Sequence, residues 1–66
     1  MDDTDRVAFV DVEVLAGNPL VLLCRVKGRL VSIPPRQVLP GTTVHESGDR
    51  GTLVLSRDLA KMLGLV

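Results

Sequence analysis

From Ala8 to Val14 the chain alternates strictly, with Ala8, Val10, Val12 and Val14 on one side and Phe9, Asp11 and Glu13 on the other. A period of two predicts a β-strand with one apolar face. Gly17-Asn18-Pro19 interrupts the pattern with consecutive turn formers,. A second strand is predicted over Leu20–Lys27, where Leu20, Leu22, Cys24 and Val26 share one face and Val21, Leu23, Arg25 and Lys27 the other. Pairing the two strands with their apolar faces together sets Asp11 and Glu13 on the same side as Arg25 and Lys27. Opposite charges across strands contribute about 0.2–1 kcal/mol each and help to fix register.

Lys27-Gly28 fits a two-residue hairpin turn, Gly28 supplying the positive φ such turns require. With that turn Cys24 faces Val31 and Leu22 faces Ile33, which predicts a third strand over Arg29–Ile33. Pro34-Pro35 ends it, because neither proline can donate to a ladder. Arg36–Leu39 is long enough for a single helical turn, and Leu39-Pro40-Gly41-Thr42 has the Pro-Gly centre of a type II turn. Thr42–Glu46 and Thr52–Ser56 read as two further short strands, joined by Ser47-Gly48-Asp49-Arg50-Gly51. The period then changes. Ser56 suits an N-cap, Asp58 the first turn of a helix and Gly64 its C′ position, while Leu59, Met62 and Leu63 make an apolar stripe. The expected architecture is mainly β: a small five-stranded, strongly bent sheet or SH3-like partly open barrel with a short C-terminal helix,. Residues 1–66 form one small domain, with residues 1–5 expected to be disordered.

Composition sharpens this picture. Of 66 residues, 45% are apolar, yet Phe9 is the one aromatic. That aliphatic content excludes an intrinsically disordered class, and the single Cys24 excludes a disulfide scaffold,. No run reaches the ~18 apolar residues of a membrane span, and the acidic start lacks the apolar region of a signal peptide. A cytoplasmic protein is expected. A chain of this size buries only about 60% of its unfolded surface, and its core rarely supplies more than about 3–5 kcal/mol. Self-association is then the available source of further burial, so a homo-oligomer is expected.

Candidate chemistry is sparse. Cys24 lies on the apolar face of a predicted strand, where burial raises a thiol pKa and makes it inert. His45 has Glu46 and Asp49 near it in sequence, but nothing joins nucleophile, base and orienting group. A structural zinc site needs four ligands, normally Cys or His at short spacing, and Cys24 and His45 are the chain's whole supply. Gly48-Asp49-Arg50-Gly51 lacks the lysine and following helix of a phosphate-binding loop. No enzyme, cofactor or metal site is expected.

Charge placement is more informative than the net charge of zero. Residues 1–23 hold five acids against Arg6, whereas residues 24–66 carry a surplus of basic residues. Arg25, Lys27, Arg29 and Arg36 cluster around one turn and form a candidate phosphate-contacting group. With no Trp or Tyr there is no platform for stacked bases or groove for proline-rich peptides,, so duplex DNA is the nucleic acid to consider. The alternative use of these cations is to pair with Asp11 and Glu13 on a solvated face.

Two stretches resemble the swapped-hairpin family of AbrB and MazE type regulators. Lys27-Gly28-Arg29-Leu30-Val31-Ser32-Ile33-Pro34 has the family's Gly-Arg and Ile-Pro, with one extra residue between them. Gly51 through Leu65 keeps the spacing to a Leu-Gly-Leu ending but lacks the Arg and the Pro. The resemblance implies a dimer of interleaved hairpins that contacts DNA near Arg29, in transcriptional control or as an antitoxin. Gly17-Asn18-Pro19-Leu20 through Ile33 is also similar to the strand pair of small SH3-like domains of bacterial ferrous-iron transport.

The leading expectation is a non-catalytic β-rich binding or assembly module that oligomerises through aliphatic surface and takes itself, or another protein, as partner. Val21 and Leu23 share a face with Arg25 and Lys27, outside the expected core. Apolar groups rimmed by charge mark interfaces. Either a second subunit covers them, or the terminal helix does so through Leu59, Met62 and Leu63; these five residues form the candidate interface. The alternative expectation is a DNA-binding regulator acting through Arg25, Lys27, Arg29 and Arg36.

Overall fold

The computed structural model describes residues 5–66. Of the opening segment expected to be disordered, residues 1–4 lie outside the described residues, and Asp5 leads directly into the first strand. The strands are β1 (Arg6–Gly17), β2 (Leu22–Val26), β3 (Arg29–Ile33) and β4 (Arg50–Ser56), followed by helix α1 (Arg57–Met62). They form one antiparallel four-stranded sheet in the order β3-β2-β1-β4. The sheet is open and not strongly curled, so the expected five-stranded, strongly bent sheet or SH3-like partly open barrel is corrected to an open four-stranded sheet with one helix.

β1 departs from strict alternation. Phe9 pairs with Leu53 and Val12 with Gly51, so the register shifts between Phe9 and Val12. Asp11 sits there at φ 57, a left-handed conformation that Asp tolerates better than most residues. One extra residue on one strand is a β-bulge, and it exchanges the faces of everything beyond it. Phe9 is therefore buried with Val12 and Val14, while Val10, expected in the core, is 70% exposed. A second shift, between Val14 and Ala16, bends the strand again where it passes from β4 to β2.

The β2–β3 hairpin follows the sequence closely. Leu22 pairs with Ile33, Cys24 with Val31 and Val26 with Arg29, and Lys27 and Gly28 both have positive φ, 53 and 79, as a type I′ turn requires. β2 starts at Leu22 rather than Leu20 because the Asn18 carboxamide oxygen accepts from the N–H groups of Leu20 and Val21, at 2.8 and 2.9 Å. Held in this Asx turn, Leu20 points to solvent,.

The expected strand over Thr42–Glu46 is absent from the sheet, although its chain runs along the outer edge of β4. Thr43 N–H donates to the Thr52 carbonyl at 2.9 Å and Leu39 N–H to that of Val54 at 2.9 Å. The reverse bonds go to side chains instead: the Thr42 hydroxyl accepts from Val54 N–H at 2.9 Å and the Thr43 hydroxyl from Thr52 N–H at 3.0 Å. Threonine hydroxyls compete with backbone carbonyls in this way, so the segment binds β4 without becoming a ladder strand. Gly51 permits the approach, since a Cβ there would collide with the Thr43 hydroxyl. Beyond it, the Asp49 carboxylate accepts from the N–H groups of His45 and Glu46 at 2.8 and 3.0 Å.

The core lies on one face of the sheet, where Ile33, Leu53, Leu55, Val12, Val14 and Val44 are all but inaccessible. Helix α1 packs on this face against β1 and β4. The Ser56 hydroxyl caps it by accepting from Leu59 N–H at 3.1 Å. At the other end Leu65 N–H bonds the Ala60 carbonyl and Gly64 N–H that of Lys61, with Gly64 at φ 77; together these make a Schellman motif. That turn folds Leu65 back into the core beside Ala60 and leaves Met62, expected in the buried stripe, 82% exposed.

Candidate interaction surface

The opposite face of the sheet carries no helix or strand among the described residues; only its β4 margin is covered, where Val54 is buried beside Gly41. Register places Leu30, Arg25, Glu13 and Arg50 in one row across all four strands. Arg25 and Glu13 approach to 3.7 Å, the cross-strand pairing expected from the charge pattern. The next row holds Ser32, Leu23 and Ala16. Val10 stands beside Asp11, Glu13, Arg25 and Arg50 around a shallow hollow. This is an apolar scatter threaded by charge, with Val10 and Leu30 exposed and Leu23 half-buried; Val21, also half-buried, precedes β2 and is held in the Asn18 turn.

The five candidate interface residues therefore separate. Val21 and Leu23 are on the β2 side of the molecule, away from the helix. Leu59 and Leu63 pack partly against their own core, and Met62 faces solvent. The helix does not cover Val21 and Leu23. The sequence pattern does not single out Val10 and Leu30: strict alternation places Val10 in the core, and the bulge at Asp11 turns it out. The signal available was Phe9, the one aromatic, stranded on the polar side of a strict alternation.

The four candidate phosphate contacts do not converge. Arg25 is engaged by Glu13 on the open face. Lys27 holds its ammonium 5.5 Å from the centroid of the Phe9 ring, a cation–π contact. Arg29 lies on the core side of β3, its guanidinium against Gly64. Arg36 sits on a single 3-10 turn, Pro35–Gln37, beyond the far end of β3.

Cys24 is buried in the core, and burial pushes its thiol pKa up. His45 is exposed on the segment beside β4. Asp49 has its carboxyl held below the usual carboxylate range by the two N–H groups it accepts,. Among the described residues no group of three or more His, Cys, Asp or Glu is placed to hold a metal ion, and no helix is long and apolar enough to cross a membrane. A cleft of about 380 Å³ opens between the start of β2 and the 35–45 segment, walled by Leu22, Pro35, Val38, Leu39 and Val44. Its nearest carboxamide, Asn18, is already committed to the turn.

Comparison with protein-family models, curated proteins and solved structures finds no match to this chain. The two stretches that resemble AbrB and MazE type regulators fall on β3 and on β4 with α1.

Proposed function

We propose that this chain is a non-catalytic assembly module that works as a homo-oligomer, with its open sheet face and neighbouring strand edge as the interaction surface. The observation that carries the reading is the one-sidedness of the covering. α1, Val38 and Val44 serve the core face, while on the other face only Val54, beside Gly41, is buried and Val10 and Leu30 remain 70% and 59% exposed. A domain this small has little stability to spare, and burying these side chains between copies adds about 25 cal/mol for each Å² of apolar surface removed from water.

Mass action supplies the test. If association stabilises the fold, the thermal midpoint rises with protein concentration; a midpoint that stays constant over a hundredfold range contradicts the reading. The alternative, duplex DNA binding through Arg25, Lys27, Arg29 and Arg36, has weaker support, because two of the four are occupied within the chain. It requires an affinity that falls steeply with salt, and absence of binding at low salt removes it.

A further inference from the structure

We propose that the outer edge of β3 pairs antiparallel with the same edge of a second copy, about a two-fold axis at Val31. Two four-stranded sheets thereby become one continuous sheet. The inference rests on the self-association proposed above and names the contact that forms it.

The backbone sets the geometry. A two-residue turn at Lys27-Gly28 closes on Val26 and Arg29 as a hydrogen-bonded pair,. Alternation along an antiparallel ladder then directs the N–H and C=O groups of Arg29, Val31 and Ile33 toward β2 and those of Leu30 and Ser32 away from it. No described residue bonds the outward groups of Leu30 or Ser32. The equivalent outward residues at the opposite edge of the sheet, Thr52 and Val54, have every N–H and C=O satisfied by Leu39, Thr42 and Thr43. β3 is short and is bounded by Arg29 and Pro34, but its outward-bonding residues Leu30 and Ser32 are uncharged and it contains no proline, no lysine and no bulge,.

One register suits the pairing. With Leu30 opposite Ser32 of the second copy, both pairs flanking the axis are hydrogen-bonded pairs, and all the outward groups of the two residues find partners. A slip of two residues one way sets Leu30 against Pro34, which has no N–H; the other way sets Ser32 against Gly28 in the turn. A slip of one turns the outward groups against inward ones. In the favoured register Leu30 lies next to the small Ser32 side chain of the other copy, whose own β2 neighbour is Leu23. Leu23 and Leu30 of the two copies then form a shared apolar patch on the open face, while Val31 meets Val31 on the core side.

The decisive variant is Ser32→Pro. It deletes an N–H that β2 does not use, at an edge position where proline is tolerated. In sedimentation velocity at tens of micromolar the unmodified chain associates and folded Ser32→Pro runs as a monomer. Hydrogen exchange on the unmodified chain gives a second readout that needs no variant. The Leu30 and Ser32 amides slow by roughly tenfold or more as concentration rises and the edge becomes paired. A folded Ser32→Pro that still associates, or an associated chain whose Leu30 and Ser32 amides exchange freely, overturns the edge pairing and leaves self-association standing. An unmodified chain that stays monomeric throughout overturns both.

Discussion

The two edges of this sheet face the same problem and meet it differently. At β4, Thr52 and Val54 direct their backbone polar groups outward, and the 39–43 segment satisfies all of them, partly through the hydroxyls of Thr42 and Thr43. At β3, Leu30 and Ser32 direct theirs outward to no partner among the described residues. An unpaired edge is a template for another strand, and evolution or chance has closed only one of the two. The same asymmetry holds for the faces, since the helix, Val44 and Leu65 all serve the core side. One edge is closed and one face is covered throughout, whereas the other face is covered only at Val54 beside β4's closed edge; the uncovered parts adjoin each other at β3.

Substitutions can test how much each side contributes, beginning with the largest effect. Leu53, inaccessible on β4, belongs to the finished side; Leu53→Ala removes core volume and costs about 2–5 kcal/mol. That is comparable with the whole stability expected of so small a core, so urea titration should find the variant largely unfolded at 25 °C. Thr42→Val tests the closed edge itself. It keeps the shape and deletes the acceptor of Val54 N–H, costing about 1 kcal/mol and speeding exchange at the Val54 amide, whereas Thr42→Ser retains both.

Acid probes the loop that leads into that edge. The Asp49 carboxyl has a folded-state pKa below its ordinary value because it accepts from His45 and Glu46 N–H. Its stabilising contribution is thus complete above the unfolded carboxylate pKa of about 3.9 and is lost as pH falls through the lower folded value. Asp49→Ala should melt earlier than the unmodified chain at pH 7, with the gap closing under strongly acid conditions. The smallest effect belongs to the open face. Glu13→Gln breaks a half-exposed ion pair with Arg25 and should change stability by less than about 0.5 kcal/mol in chemical denaturation.

The sequence was legible where local chemistry decided the outcome. The Lys27-Gly28 turn fixed the β2–β3 register, and Ser56, Asp58 and Gly64 bounded the helix as expected. It was illegible where a single residue changed phase or a side chain replaced the backbone. Asp11 in a left-handed conformation turns Val10 out of the core, and the one trace of this in the alternation is Phe9 on its polar side. Thr42 and Thr43 look like ordinary strand residues, yet their hydroxyls take the N–H groups that a fifth strand's carbonyls would need. The charged part of the open face was readable through Glu13 and Arg25; its apolar members Val10 and Leu30 depended on that unforeseen bulge and on register.

Sedimentation equilibrium on the unmodified chain, from low to tens of micromolar, tests the central claim most directly. The account predicts a mass that rises with concentration from 7.1 kDa toward twice that value. A mass fixed at 7.1 kDa across the range would contradict it.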